Sequence, residues 1–155
     1  MNLSDVTSLL GAYYPETQLV GFLAALGFSD EPRLPKDSMS TYLSRNDLGI
    51  EITLTGERYL DDPRRTYPEG ALVLKNIRLY GADDPDFAAF VGILPIGLQF
   101  GATLEQLSSS IGKLDWFDED LAKARWNLSD YAIFANFNDD GYSKSYSFQL
   151  PVSDD

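Results

Sequence analysis

The chain contains no cysteine and no histidine. Without cysteine there is no disulfide, no thiol nucleophile and no thiolate metal ligand. Without histidine the usual general base, the commonest zinc ligand and every Ser-His-Asp triad are excluded. Catalysis would have to rest on carboxylates, lysine or tyrosine. Cations are scarce as well: 12 Lys and Arg stand against 24 Asp and Glu, a net charge of −12. Nucleic-acid binding needs a basic face, so this balance argues against it. No run reaches the roughly 18 apolar residues of a membrane-spanning helix. The opening MNLSDV has neither a basic n-region nor an apolar h-region, so no signal peptide and a cytoplasmic location are expected.

What is present describes a globular protein. The length of 155 residues, with 44% apolar and 13% aromatic residues, suits a single domain over 1–155 with a substantial core. The acidity either keeps the protein soluble or steers a basic partner toward it.

The N-terminal part predicts two helices. Residues 3–10 place Leu3, Val6, Leu9 and Leu10 on one face, and Gly11 ends the segment. Tyr14-Pro15 predicts a turn. A second helix is predicted over 17–26, with Thr17 as N-cap, Leu19, Val20, Leu23 and Leu26 as its apolar stripe, and Gly27 as its stop. Residues 28–40, with Pro32 and Pro35, predict a loop.

Strands are predicted next. A short one covers 41–44, and GIEITLT at 49–55 alternates apolar and polar residues as a half-buried strand does. Residues 56–70 read as a long exposed loop, the most mobile of the chain, in which Arg58, Arg64 and Arg65 either neutralise Asp61 and Asp62 locally or meet a partner. Residues 71–80 form a strong strand whose alternation slips near Lys75-Asn76, which predicts a bulge. GADDPD at 81–86 is an acidic turn, and 87–91 reads as a short strand or helical turn.

The second half is built around LPIGLQFGATLEQLSSSIG at 94–112. Thr103 and Gln106 match a capping box. Leu104, Leu107 and Ile111 face inward, and Gly112 stops the helix. Strands are predicted at 124–128, 131–137 and 142–152, with Asn138-Asp139-Asp140-Gly141 as a hairpin turn and Ser153, Asp154 and Asp155 frayed. The fold class is therefore α+β: two loosely repeated units of short helices followed by antiparallel strands, with the helices on one sheet face. The halves run over about 1–80 and 94–152.

Candidate chemistry is sparse. Asn136, Asn138, Asp139 and Asp140 loosely fit a calcium loop, but the closing Glu is missing and the spacing fits a turn. Glu51 and Glu105 can be posed as paired carboxylates. Each also has an ordinary place, on a strand's polar side and in a helix's first turn. The chain is read as no enzyme, without cofactor or metal. Two clusters can form a contact surface: Asp83, Asp84 and Asp86, and then Asp115, Trp116, Asp118, Glu119 and Asp120. Aromatic anchors supply binding energy and charge sets orientation and on-rate. The ordinary alternative for the second cluster is a solvated segment that two aromatics tie to the core.

LPIGLQFGATLEQLSSSIG resembles the pattern LP-x-GL-x-FG-x-T followed by two spaced hydrophobic residues and Gly, found in bacterial immunity proteins encoded beside polymorphic toxins, including type VI and Rhs-type effectors. The resemblance extends to Leu9-Leu10-Gly11, Val20 to Gly27, Tyr42-Leu43-Ser44 with Gly49-Ile50, Trp126, Tyr131 to Phe134 and Asp140-Gly141. It departs at Lys113-Leu114, where the family often has proline soon after the glycine. The layout is also similar to the helix-plus-sheet repeats of β-lactamase-inhibitor-like proteins and outer-membrane assembly lipoproteins. The resemblance implies an immunity protein that binds and neutralises a cognate antibacterial toxin; its contacts are expected, from the acids and aromatics themselves, at the eight residues named above. From the charge, that toxin is expected to be basic, for instance a nuclease. The alternative expectation is a scaffold module of an envelope or assembly complex.

Overall fold

A computed structural model describes residues 1–151. It is a mixed α+β fold with one antiparallel sheet. The strands are β1 (Tyr13–Tyr14), β2 (Ser40–Arg45), β3 (Ile50–Gly56), β4 (Leu72–Tyr80), β5 (Trp116–Asp118), β6 (Lys123–Asn127), β7 (Ala132–Phe137) and β8 (Ser143–Gln149). They lie in the order β2-β3-β4-β8-β7-β6-β5, and β1 joins the lower part of β4. The helices are α1 (Thr17–Ala25) and α2 (Leu104–Ile111). The expectations for Val152 and for the frayed Ser153, Asp154 and Asp155 lie outside the described residues.

The core follows from period-2 alternation. Ile52, Ile77, Phe148, Ile133 and Trp126 oppose one another across five strands, and all five are fully buried. Leu19, Leu23 and Leu26 around α1 and Leu107 of α2 belong to the same buried cluster. The bulge expected near Lys75 is present: Leu54 pairs with Leu74 and Thr53 with Asn76, so Lys75 has no opposite residue. The capping box of α2 is also present, with Thr103 Oγ1 accepting from Gln106 N at 3.2 Å and Gln106 Oε1 accepting from Thr103 N at 2.9 Å.

Several expectations are corrected. The helix expected over 3–10 is a single 3₁₀ turn at Val6–Leu9. The backbone just beyond it joins the sheet instead: Gly11 N donates to Leu74 O and Leu74 N to Ala12 O. Thr17 is not the N-cap of α1. That position is Glu16, whose carboxylate accepts from Tyr13 N at 2.9 Å. Val20 is not a core residue but is 36% exposed, because the Leu19-Leu23-Leu26 spacing already fills the narrow buried stripe of a nine-residue helix. The stop after α1 holds as expected. Gly27 has φ +88, and Phe28 N reaches back to Leu23 O, the bond that closes a helix through a left-handed residue. Residues 87–91 are neither strand nor helix. They cross the end of the sheet, with Ala88 N on Asn46 O and Phe90 N on Tyr80 O, both at 2.8 Å. Gly49 makes room for them, since a Cβ there would meet Ala88 O and sit 2.7 Å from Phe90 N.

The central stretch is fastened to β8 by one buried tyrosine. Tyr146 Oη donates to Gln99 O at 2.7 Å and lies 2.8 Å from Ser143 Oγ, which also accepts from Ala102 N. Burial pushes the Tyr146 hydroxyl up in pKa, so it stays a protonated donor.

Phe148→Ala should lower the free energy of unfolding by about 3–5 kcal/mol through loss of buried area and the cavity left behind. Val20→Ser should change it by less than about 0.5 kcal/mol. Urea unfolding of both variants checks the pair.

Candidate partner-binding surface

An antiparallel sheet sends alternate connections to opposite ends. At one end lie the β2–β3 turn, the loop after β4, the β7–β8 turn and the β5–β6 turn. All four are acidic: Asp47, then Asp83, Asp84 and Asp86, then Asp139 and Asp140, then Asp118, Glu119 and Asp120. In strand order they span five strand spacings, roughly 24 Å at ~4.8 Å each. The cations at this rim are Arg45, Lys123 and Lys144. Arg45 is already engaged by Asp47, with two hydrogen bonds of 2.9 and 2.8 Å.

The acids divide by local duty. Asp84 Oδ2 accepts from Asp86 N and Phe87 N, and Asp118 Oδ1 accepts from Leu121 N, so these two shape their own turns. Asp83, Asp86, Glu119, Asp120, Asp139 and Asp140 are exposed, and their carboxylates have no hydrogen bond or ion pair among the described residues. They are free to meet an external cation. Leu121 and Tyr142 stand exposed among them.

Six of the eight residues singled out from sequence therefore share one rim. Asp115 and Trp116 do not. Asp115 lies beyond the other end of β5, where its Oδ2 accepts from Asn127 N at 2.7 Å. Trp116 is half-buried on the sheet face opposite the helices, in register with Arg125 and with that guanidinium 5.8 Å from its ring. On the same face Arg78 donates to Ser147 Oγ, and Lys123 rests 4.8 Å from the Phe134 ring. Burial, helped by Arg78, pushes the Lys123 ammonium down in pKa. Sequence reading weighed Asp139 and Asp140 as turn formers or as part of a calcium loop, and did not single out Leu121 and Tyr142 as contacts. The NDDG turn is indeed a turn: Asn138 Oδ1 accepts from Asp140 N and Tyr142 N. No group of three or more potential metal-ligating side chains occurs among the described residues. Glu51 and Glu105 do not converge. Glu51 pairs in register with Arg78 on the open face, whereas α2 carries Glu105 on the covered side.

The opposite end is mixed in charge. The 56–70 segment closes a groove of about 520 Å³ there, lined in part by Glu16, Arg64, Arg65, Tyr67 and Lys75. Its arginines do not neutralise Asp61 and Asp62. Arg65 reaches Glu16 at 3.2 Å and lies over the rings of Tyr13 and Tyr67 at 5.2 and 5.1 Å. Arg64 donates to Ser129 O at 2.7 Å, and Tyr67 Oη to Gly11 O at 2.7 Å. These side chains clasp the segment to the body of the fold.

The Tyr13 N–H, followed by Arg65, holds the Glu16 carboxyl below its ordinary pKa of 4.5. A depressed carboxylate stabilises the folded state fully above 4.5, and that contribution disappears as pH falls through the lowered folded value. Glu16→Gln should therefore be less stable than wild type at pH 7, and the gap should close as pH drops below about 4. Urea unfolding at a series of pH values measures it. Comparison with family models, with curated proteins and with solved structures finds no match to this chain.

Proposed function

We propose that this chain is an immunity protein: it binds a cognate antibacterial toxin one-to-one and neutralises it by covering a basic active-site surface. The observation that carries the reading is the gathering of four acidic turns at one end of the sheet. Six of the carboxylates there have no hydrogen bond or ion pair among the described residues. Concentrated charge of one sign raises the local field and speeds capture of an oppositely charged protein, while exposed side chains such as Leu121 and Tyr142 supply the apolar contacts that hold it. A nuclease, whose substrate groove must be positive, is the toxin class this surface suits. The resemblance of residues 94–112 to the immunity family points the same way. Two helix-plus-meander units, one ending in β4 and the other in β8, would meet where those strands pair at the middle of the sheet.

The test begins with the reading frame next to this one. Its C-terminal domain, expressed alone, should arrest growth, and co-expression of this chain should restore it. Replacing Asp83, Asp86, Glu119, Asp120, Asp139 and Asp140 by their amides should slow association at least tenfold at low salt and flatten its dependence on ionic strength. Stopped-flow mixing reads both. Unchanged association kinetics would remove the acidic rim from the interface.

A further inference from the structure

Just past the acidic 81–86 loop the chain carries three exposed aliphatic side chains in six residues: Val91 at 82%, Ile93 at 55% and Ile96 at 50% exposure. They alternate with side chains that are sunk in the core, Phe90, Leu94 and Leu98. The backbone between them is firmly held. Phe90 N donates to Tyr80 O, Ile93 N to Met1 O, Leu3 N to Ile93 O and Leu98 N to Pro95 O. The segment is thus a rigid platform with three exposed aliphatic side chains; Phe90 N on Tyr80 O ties its start to the residue just before the acidic 81–86 loop, and the N-terminal ammonium lies 3.5 Å from Val91 O.

Ile96 is the informative member. Its backbone is left-handed, at φ 49 and ψ 27. A β-branched residue there is a conformational outlier that costs folding free energy. The tight turn it makes between Leu94 and Leu98 would be served better by Gly or Asn, which adopt this region routinely. Nor does the side chain repay the strain by full burial, because half of it faces solvent. The chain thus bears both strain and exposed apolar surface at one position, and neither helps it fold. That combination has a physical rationale if the side chain is buried on an external surface.

We infer that the 91–96 segment is the apolar anchor of the partner interface, with Val91, Ile93 and Ile96 seated in an apolar depression of a basic protein whose cations meet Asp83 and Asp86. This rests on the immunity reading for the partner's identity. The chemistry required of the partner is set by the site itself: a hydrophobic contact patch ringed by Lys or Arg. A second copy of this chain does not meet it, because two surfaces with the same acidic border repel each other. Because the platform is already ordered, docking loses little conformational freedom, and truncating an anchor acts mainly on dissociation.

The experiment uses the whole chain and two probes: the C-terminal domain of the adjacent reading frame, and a synthetic peptide of alternating Lys and Leu. Ile93→Ser and Ile96→Asn should each raise the dissociation rate of the adjacent-frame domain at least tenfold and leave association within twofold. Ile96→Asn should melt at or above the wild-type temperature, since it relieves the backbone. Wild-type dissociation in both variants overturns the inference, and so does a clear fall in the melting temperature of Ile96→Asn. If the adjacent-frame domain does not bind the wild type, the immunity reading falls, and the platform is judged on the Lys-Leu peptide alone. Loss of that peptide on Ile93→Ser and Ile96→Asn sustains the anchor, whereas retention, or no binding to the wild type, removes it.

Discussion

The structure depends on one row of side chains. Ile52, Ile77, Phe148, Ile133 and Trp126 meet across five strands and are closed to solvent. Because side chains alternate with a period of two, a slip of one residue in any of these pairings would turn a strand's apolar set to the open face. The row therefore fixes register across β3, β4, β8, β7 and β6, the five strands it joins. The acidic rim follows from the antiparallel order built on that row: the β2–β3, β7–β8 and β5–β6 turns and the loop after β4 all leave the sheet at the same end.

The second constraint is the attachment of residues 94–112 to the head of β8. Tyr146 carries its hydroxyl into the core because Gln99 O accepts its proton and Ser143 Oγ lies 2.8 Å from its oxygen as the matching donor. The same serine satisfies Ala102 N, and Phe100 stacks on the Tyr146 ring at 5.4 Å between centroids. A buried polar group without partners would be costly, so this small network decides where the stretch can sit. It delivers Thr103 to the start of α2, and upstream it holds the Leu94–Leu98 turn that exposes Ile96.

What could be read from sequence was local. The strand in GIEITLT, the slip at Lys75 and the Thr103–Gln106 box each involve neighbours a few residues apart, and each is present, although the strand expected to be half-buried has Thr53 and Thr55 buried as well. Misreadings arose where distant partners decide. Tyr13 and Tyr14 pair with Val73 and Leu72, some sixty residues away, and no local signal marks them as a strand. The short first helix gave way to the same partner strand. Val20 fits a helical stripe on paper, but α1 has room for one narrow ridge only. The candidate contacts show the same division. The acidic clusters were visible one by one, yet their common end depends on strand order, so Asp139 and Asp140 were not grouped with Asp83. Conversely, Asp115 adjoins Asp118 in sequence but lies beyond the other end of β5, and Trp116, on the same face as Asp118, packs beside Arg125 instead of standing at the rim.

One more property follows from the two ends of the sheet. Among the described residues the excess negative charge sits at the rim, whereas the opposite end intersperses Arg64, Arg65 and Lys75 with its acids, and the open face carries Arg78 and Arg125. The protein is therefore a permanent electric dipole as well as an anion, roughly aligned with its strands. In the field of any cationic body it experiences a torque as well as a pull. That torque biases encounters toward rim-first approach within the Debye length, about 8 Å at physiological salt.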